Sequence, residues 1–100
     1  MRISHNTFIT YDFSVEFAVG DSQYTATFKP VMDEDWYFGD RHDVQLSLVN
    51  FDEYGVGEVQ VRIYEKFWDE KSRCYLFDPD AVINHTLKDP VKINISKGIK

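Results

Sequence analysis

One hundred residues, 43% of them hydrophobic and 16% aromatic, are enough to bury one core and too apolar for a disordered chain. A net charge of −6 sets the chain against polyanions, which argues against direct contact with free nucleic acid or an anionic membrane. The single cysteine, Cys74, excludes an intrachain disulfide, and no stretch approaches the roughly 20 apolar residues of a membrane helix. With no apolar leader at Met1–Thr7, the two Asn-x-Ser/Thr sequons at Asn84 and Asn94 read as chance matches. The expectation is one cytoplasmic β domain over residues 1–100.

Along the chain the dominant period is two. Ile9, Tyr11, Phe13, Val15, Phe17 and Val19 alternate with Thr10, Asp12, Ser14, Glu16 and Ala18, the pattern of a strand with one dry face. Gly20-Asp21-Ser22 reads as a turn into a second strand, Gln23 to Lys29, with Tyr24, Ala26 and Phe28 on one face and Pro30 ending it. Residues 33–43 show no apolar period and read as a long loop. Val44, Leu46 and Leu48 restart the alternation, and residues 51–57 form a glycine-containing connection.

A further strand places Val59, Val61, Ile63 and Phe67 opposite Gln60, Arg62, Tyr64 and Lys66. Residues 68–73 make a polar hairpin tip, answered by a short strand from Cys74 to Phe77. Asp78-Pro79-Asp80 has the Asp and Pro of a helix start, predicting a short helix near 79–86, although the β-branched pair Val82-Ile83 leaves a strand open. Pro90 precedes a last strand with Val91, Ile93 and Ile95 on one face. The sum is an all-β fold, an antiparallel β-sandwich or small barrel of six to seven strands.

The charge is unevenly placed. Residues 1–32 sum to −1, residues 33–58 to −7 and residues 59–100 to +2. Within the acidic quarter, Trp36, Tyr37 and Phe38 stand consecutively among Asp33, Glu34, Asp35, Asp40 and Asp43. Aromatic side chains anchor interfaces, and carboxylates around them steer a basic partner and raise its association rate. The expectation is a non-enzymatic protein-binding module that uses these eight residues against a basic protein surface. In its sharpest form the carboxylates imitate nucleic-acid phosphates and block a nuclease or other nucleic-acid-binding protein, as small phage-encoded or immunity-type inhibitors can. The bland alternative is a loop folded back over one end of the sandwich. A virion or tail assembly component, and a calcium- or carbohydrate-binding sandwich, are the competing classes.

Other chemistry is thinly represented. The acids do not fit the twelve-residue EF-hand spacing, though Asp78 and Asp80 could join Asp33, Asp35, Asp40 and Asp43 around calcium. His5, His42 and His85 lie far apart and form no ligand pair, and no nucleophile elbow or phosphate-binding glycine loop occurs. Neither a cofactor nor a catalytic set is expected. The lysines at 88, 92, 97 and 100 read as a blunted edge and tail.

Overall fold

The computed structural model describes the backbone of residues 1–85 and 92–96, and the side chains of residues 1–76 and 92–96. Eight strands and one short helix occur among them, arranged as two antiparallel sheets. The strands are β1 (Arg2–Ser4), β2 (Asp12–Val19), β3 (Ser22–Phe28), β4 (Glu34–Phe38), β5 (His42–Val49), β6 (Val56–Asp69), β7 (Cys74–His85) and β8 (Lys92–Ser96), with α1 spanning His5–Thr10.

The larger sheet runs β1-β6-β5-β4, with β7 also paired to β6. Fourteen residues make β6 long enough for two neighbours on one flank: β1 beside Val56–Glu58 and β7 beside Val61–Asp69. The other flank of β6 pairs with β5, from Glu58 to Glu65. Past Glu65, β6 and β7 continue as a two-stranded ribbon that leaves Phe67, Trp68 and Leu76 substantially exposed. The smaller sheet runs β3-β2-β8.

The alternating residues of the two sheets meet face to face. Phe13, Val15, Phe17, Ala26 and Phe28 come from the smaller sheet, and Val44, Leu46, Leu48, Val59, Val61 and Ile63 from the larger. Phe8 of α1 completes this buried cluster, its ring 5.3 Å from that of Phe13. The β-sandwich expected from the alternation is therefore the observed class, with the period-two residues of β2, β3, β5 and β6 turned inward as that pattern requires.

The structure revises three local expectations. The first strand begins at Asp12 rather than Ile9, because His5–Thr10 turns as α1. Ser4 caps that turn, its Oγ accepting the Thr7 N–H at 3.1 Å, a local signal stronger than the alternation of Ile9 and Tyr11. Those two residues still pack on the core, but from the helix and its exit.

The stretch 33–43 is not one long loop: Glu34–Phe38 forms the edge strand β4, antiparallel to β5. Its alternation is masked because each of its faces carries both a carboxylate and a ring. The helix expected near 79–86 is likewise not formed as far as the backbone is described, because β7 remains extended to His85. Val82 and Ile83 pair with Tyr64 and Ile63, so the β-branched pair outweighs the Asp-Pro helix signal. Pro79, which cannot donate to a ladder, sits where the β6–β7 register shifts between Tyr64 and Lys66. Of the last predicted strand, Ile93 packs against the core and Ile95 is 37% exposed, while Val91 lies outside the described residues.

Candidate functional site

The register of β4 against β5 sorts the acidic, aromatic segment onto two faces. Asp35 and Tyr37 stand opposite Leu46 and Val44, whose side chains point into the core. Glu34, Trp36 and Phe38 stand opposite Ser47, Gln45 and Asp43, on the outer face of the larger sheet. On that outer face the rings of Trp36 and Phe38 lie parallel, 5.9 Å apart, and Tyr64 of β6 closes on Trp36 at 5.5 Å. Phe38 is 71% exposed, far beyond what a buried edge strand requires.

The eight residues expected to act together divide accordingly. Glu34, Trp36 and Phe38 share the outer face, with Asp40 exposed on the adjoining turn and Asp33 just before the strand. Glu34 accepts a hydrogen bond from the Gln45 side chain, and Asp33 pairs with His5 at 2.8 Å. Of the other three, Tyr37 and Asp35 lie on the inner face of β4, and Asp43, although on the outer face, is tied up by a lysine. Tyr37 turns inward, its ring edge-on to Phe28 at 6.5 Å. Asp35 accepts the backbone N–H of Trp36 at 3.0 Å and of Lys29 at 3.2 Å, so its carboxylate ties the edge of β4 to the chain leaving β3 of the other sheet. Asp43 is buried and pairs with Lys66 at 2.9 Å, and the same ammonium donates to the Gly39 carbonyl at 2.8 Å.

The four aspartates considered for calcium therefore do not converge. No three His, Cys, Asp or Glu side chains are grouped for a metal among the described residues. Cys74 is exposed at the ribbon's end, 3.1 Å from the Ser72 hydroxyl.

Beside β4, on the flank where the two sheets end, lies a cavity of about 290 Å³. Phe17, Tyr24, Thr25, Tyr37, Arg41 and His42 line it. His42 is buried, 4.6 Å from the Tyr24 ring and 5.8 Å from that of Phe17. Loss of solvation holds its pKa below the usual 6.5, Glu65 opposing and Arg41 reinforcing the shift, so the neutral imidazole is the resident form. The turn between β4 and β5 is tight: a Cβ on Gly39 would stand 2.8 Å from the His42 carbonyl oxygen. Arg41 leaves this turn to lie over the Tyr75 ring, 4.7 Å from its centre.

Tyr64 was the outer-face residue missing from the sequence-based set. Its place on the wet side of β6 was legible from the alternation of Gln60, Arg62, Tyr64 and Lys66. Without a strand assigned to 34–38, nothing in the sequence could bring it beside Trp36. No helix among the described residues is long and apolar enough to cross a membrane. No family model, curated protein or solved structure matches the chain.

Proposed function

We propose that the domain is a non-enzymatic binding module that holds a basic protein surface against the outer face of β4, in the manner of a small acidic inhibitor. The observation that carries this reading is the Trp36–Phe38–Tyr64 ring group, with Phe38 71% exposed, on the same face as the Glu34 carboxylate and with exposed Asp33 and Asp40 flanking β4. Exposed rings supply the anchor, and unburied carboxylates act over a Debye length of about 8 Å at physiological salt. A partner that normally binds nucleic acid, a nuclease included, offers the matching positive surface. Asp35, Tyr37 and Asp43 take no part, because their side chains are already engaged by the main chain, by Phe28 and by Lys66.

The test is affinity capture from host and competitor lysates, followed by binding kinetics on the purified partner. Neutralising Asp33, Glu34 and Asp40 together should slow association and flatten its salt dependence, whereas Phe38→Ala should mainly speed dissociation. Capture unchanged by both variants would place the interface elsewhere. A second reading, carbohydrate binding, is favoured by the parallel rings beside the Gln45 amide. Glycan-array binding abolished by Trp36→Ala would establish it in place of the first.

A further inference from the structure

The two sheets end side by side in β3 and β4, and the two edges are finished differently. Val19 and Ser22 flank a two-residue turn whose Gly20 has φ +61°, the geometry of a tight hairpin with glycine first. Those flanking residues form a hydrogen-bonded pair, and the pattern alternates from there. Tyr24, Ala26 and Phe28 thus bond β2, while the main chains of Gln23, Thr25 and Thr27 point away from it.

The next residue in that outward series, Lys29, confirms the phase, because its N–H meets the Asp35 carboxylate on that side. No described residue hydrogen-bonds the outward groups of Gln23, Thr25 or Thr27. Ser22–Phe28 contains no lysine or proline and keeps continuous register with β2, so the usual devices that blunt an edge are missing.

We propose that this edge takes an extended, basic peptide segment of a partner as an added strand, with one apolar peptide side chain entering the cavity at Tyr24 and His42. A strand laid beside β3 puts alternate side chains between the sheets, next to Tyr24, where the cavity of about 290 Å³ is walled by Phe17, Tyr37 and His42. Main-chain bonds supply the affinity and the cavity the choice of side chain. The sign of the peptide's charge follows from the flank itself. Between residues 20 and 41 it carries Asp21, Asp33, Glu34, Asp35 and Asp40 against Lys29 and Arg41, a net −3 with histidine outside this span. The same charge opposes pairing with the β3 edge of a second copy. This inference rests on the proposed function only in taking the partner to be basic; the surface is a different one.

The probe is a phage-displayed library of random twelve-residue peptides, selected on the full chain. Selected peptides should carry Lys or Arg around a central apolar residue. Methylating alternate backbone nitrogens of a selected peptide should weaken binding at least tenfold, as should Thr25→Pro, which removes one outward donor. Amide hydrogen exchange at Gln23, Thr25 and Thr27 should slow when peptide binds. The peptide-side change keeps the test valid whatever Thr25→Pro does to folding.

Failure to select any binder overturns the proposal. So does binding that is indifferent to N-methylation at every register, or a peptide-free dimer that protects the same amides. Peptide binding lost in Phe38→Ala with the β3 amides unchanged also overturns it, while leaving the outer-face reading intact. Peptide binding retained in Phe38→Ala, and weakened but not lost in the triple neutralisation that removes three of the flank's five carboxylates, with β3 amides protected in both, supports strand addition even where capture at the outer face fails.

Discussion

The edges of β3 and β4 lie on the same flank of the sandwich, yet only one of them carries a guard. β4 turns a carboxylate inward: Asp35 reaches the N–H of Trp36 on its own strand and of Lys29 just past β3. An inward-pointing charge of this kind is a recognised obstacle to strand addition, since a newcomer must displace it from its donors. β3 offers Gln23, Thr25 and Thr27 with no such guard. The contrast teaches that net charge alone does not say which part of an acidic surface is a contact. Asp35 stands immediately before the three rings expected to anchor a partner, and its work is internal.

The largest change available to this arrangement comes from Lys66→Met. Lys66 is the cation paired with buried Asp43 and also the donor to Gly39, so its loss strands a carboxylate and loosens the turn beside the cavity. Breaking a pair this far buried costs on the order of 3 kcal/mol. Urea denaturation should show a loss of that size, largely recovered when Asp43→Leu is added. A cost under about 0.5 kcal/mol would mean that the ammonium is replaceable by water.

A smaller effect is expected from Asp35→Ala, which removes the acceptor from two main-chain donors and costs about 1–2 kcal/mol. The same variant makes the two edges alike. Exchange at the Trp36 amide should rise, and sedimentation should reveal concentration-dependent association that the parent lacks. A variant that is destabilised yet strictly parent-like in size would show that Asp35 holds the strand without guarding it.

Acidification separates the flank from the rest of the core. His42 has its folded pKa below the unfolded value near 6.5, chiefly through lost solvation, so below that value the unfolded chain binds more protons than the folded one. The contribution of neutral His42 is complete above about pH 6.5 and is lost as pH falls from there through the folded pKa. Thermal unfolding between pH 7.5 and 5.5 should therefore decline more in the parent than in His42→Phe. Equal slopes would remove His42 as the cause.

The smallest signal is also the most local. Amide exchange along free β3 should alternate, fast at Gln23, Thr25 and Thr27 and slow at Tyr24, Ala26 and Phe28. The opposite phase would reverse which groups face the partner and sink the strand-addition geometry.

These features were unequally legible in the sequence. The inward residues of β2, β3, β5 and β6 follow directly from alternation, because burial of one face leaves a period of two wherever the other face is polar. β4 escaped that logic. Asp35 stands on its inner face as a hydrogen-bond acceptor and Phe38 on its outer face in solvent, so polarity and direction are uncoupled. The Asp-Pro-Asp signal in β7 failed for a related reason: a tertiary partner, β6, decides between helix and strand when local preferences are mixed. Which acids lie near a partner and which are tied to Lys66 or to the main chain depends on contacts between residues far apart in sequence. Lys66 and Asp43 become neighbours only once β5 and β6 are in register.

The position of β2 also bears on how the molecule comes into being. It is the middle strand of its sheet, yet its two neighbours are made at very different times. β3 follows after a two-residue turn, whereas β8 supplies Asn94, whose amide donates to Glu16 at 2.7 Å across 78 positions. At ribosomal speeds of roughly 5–20 residues per second, about 3–14 s separate the emergence of the β2–β3 hairpin from that of β8. During that interval β2 itself has a vacant side, which β8 later covers. Nascent chains of this protein thus pass through a stage with two sticky margins, and their yield should respond to translation rate and to chaperones that shelter extended segments.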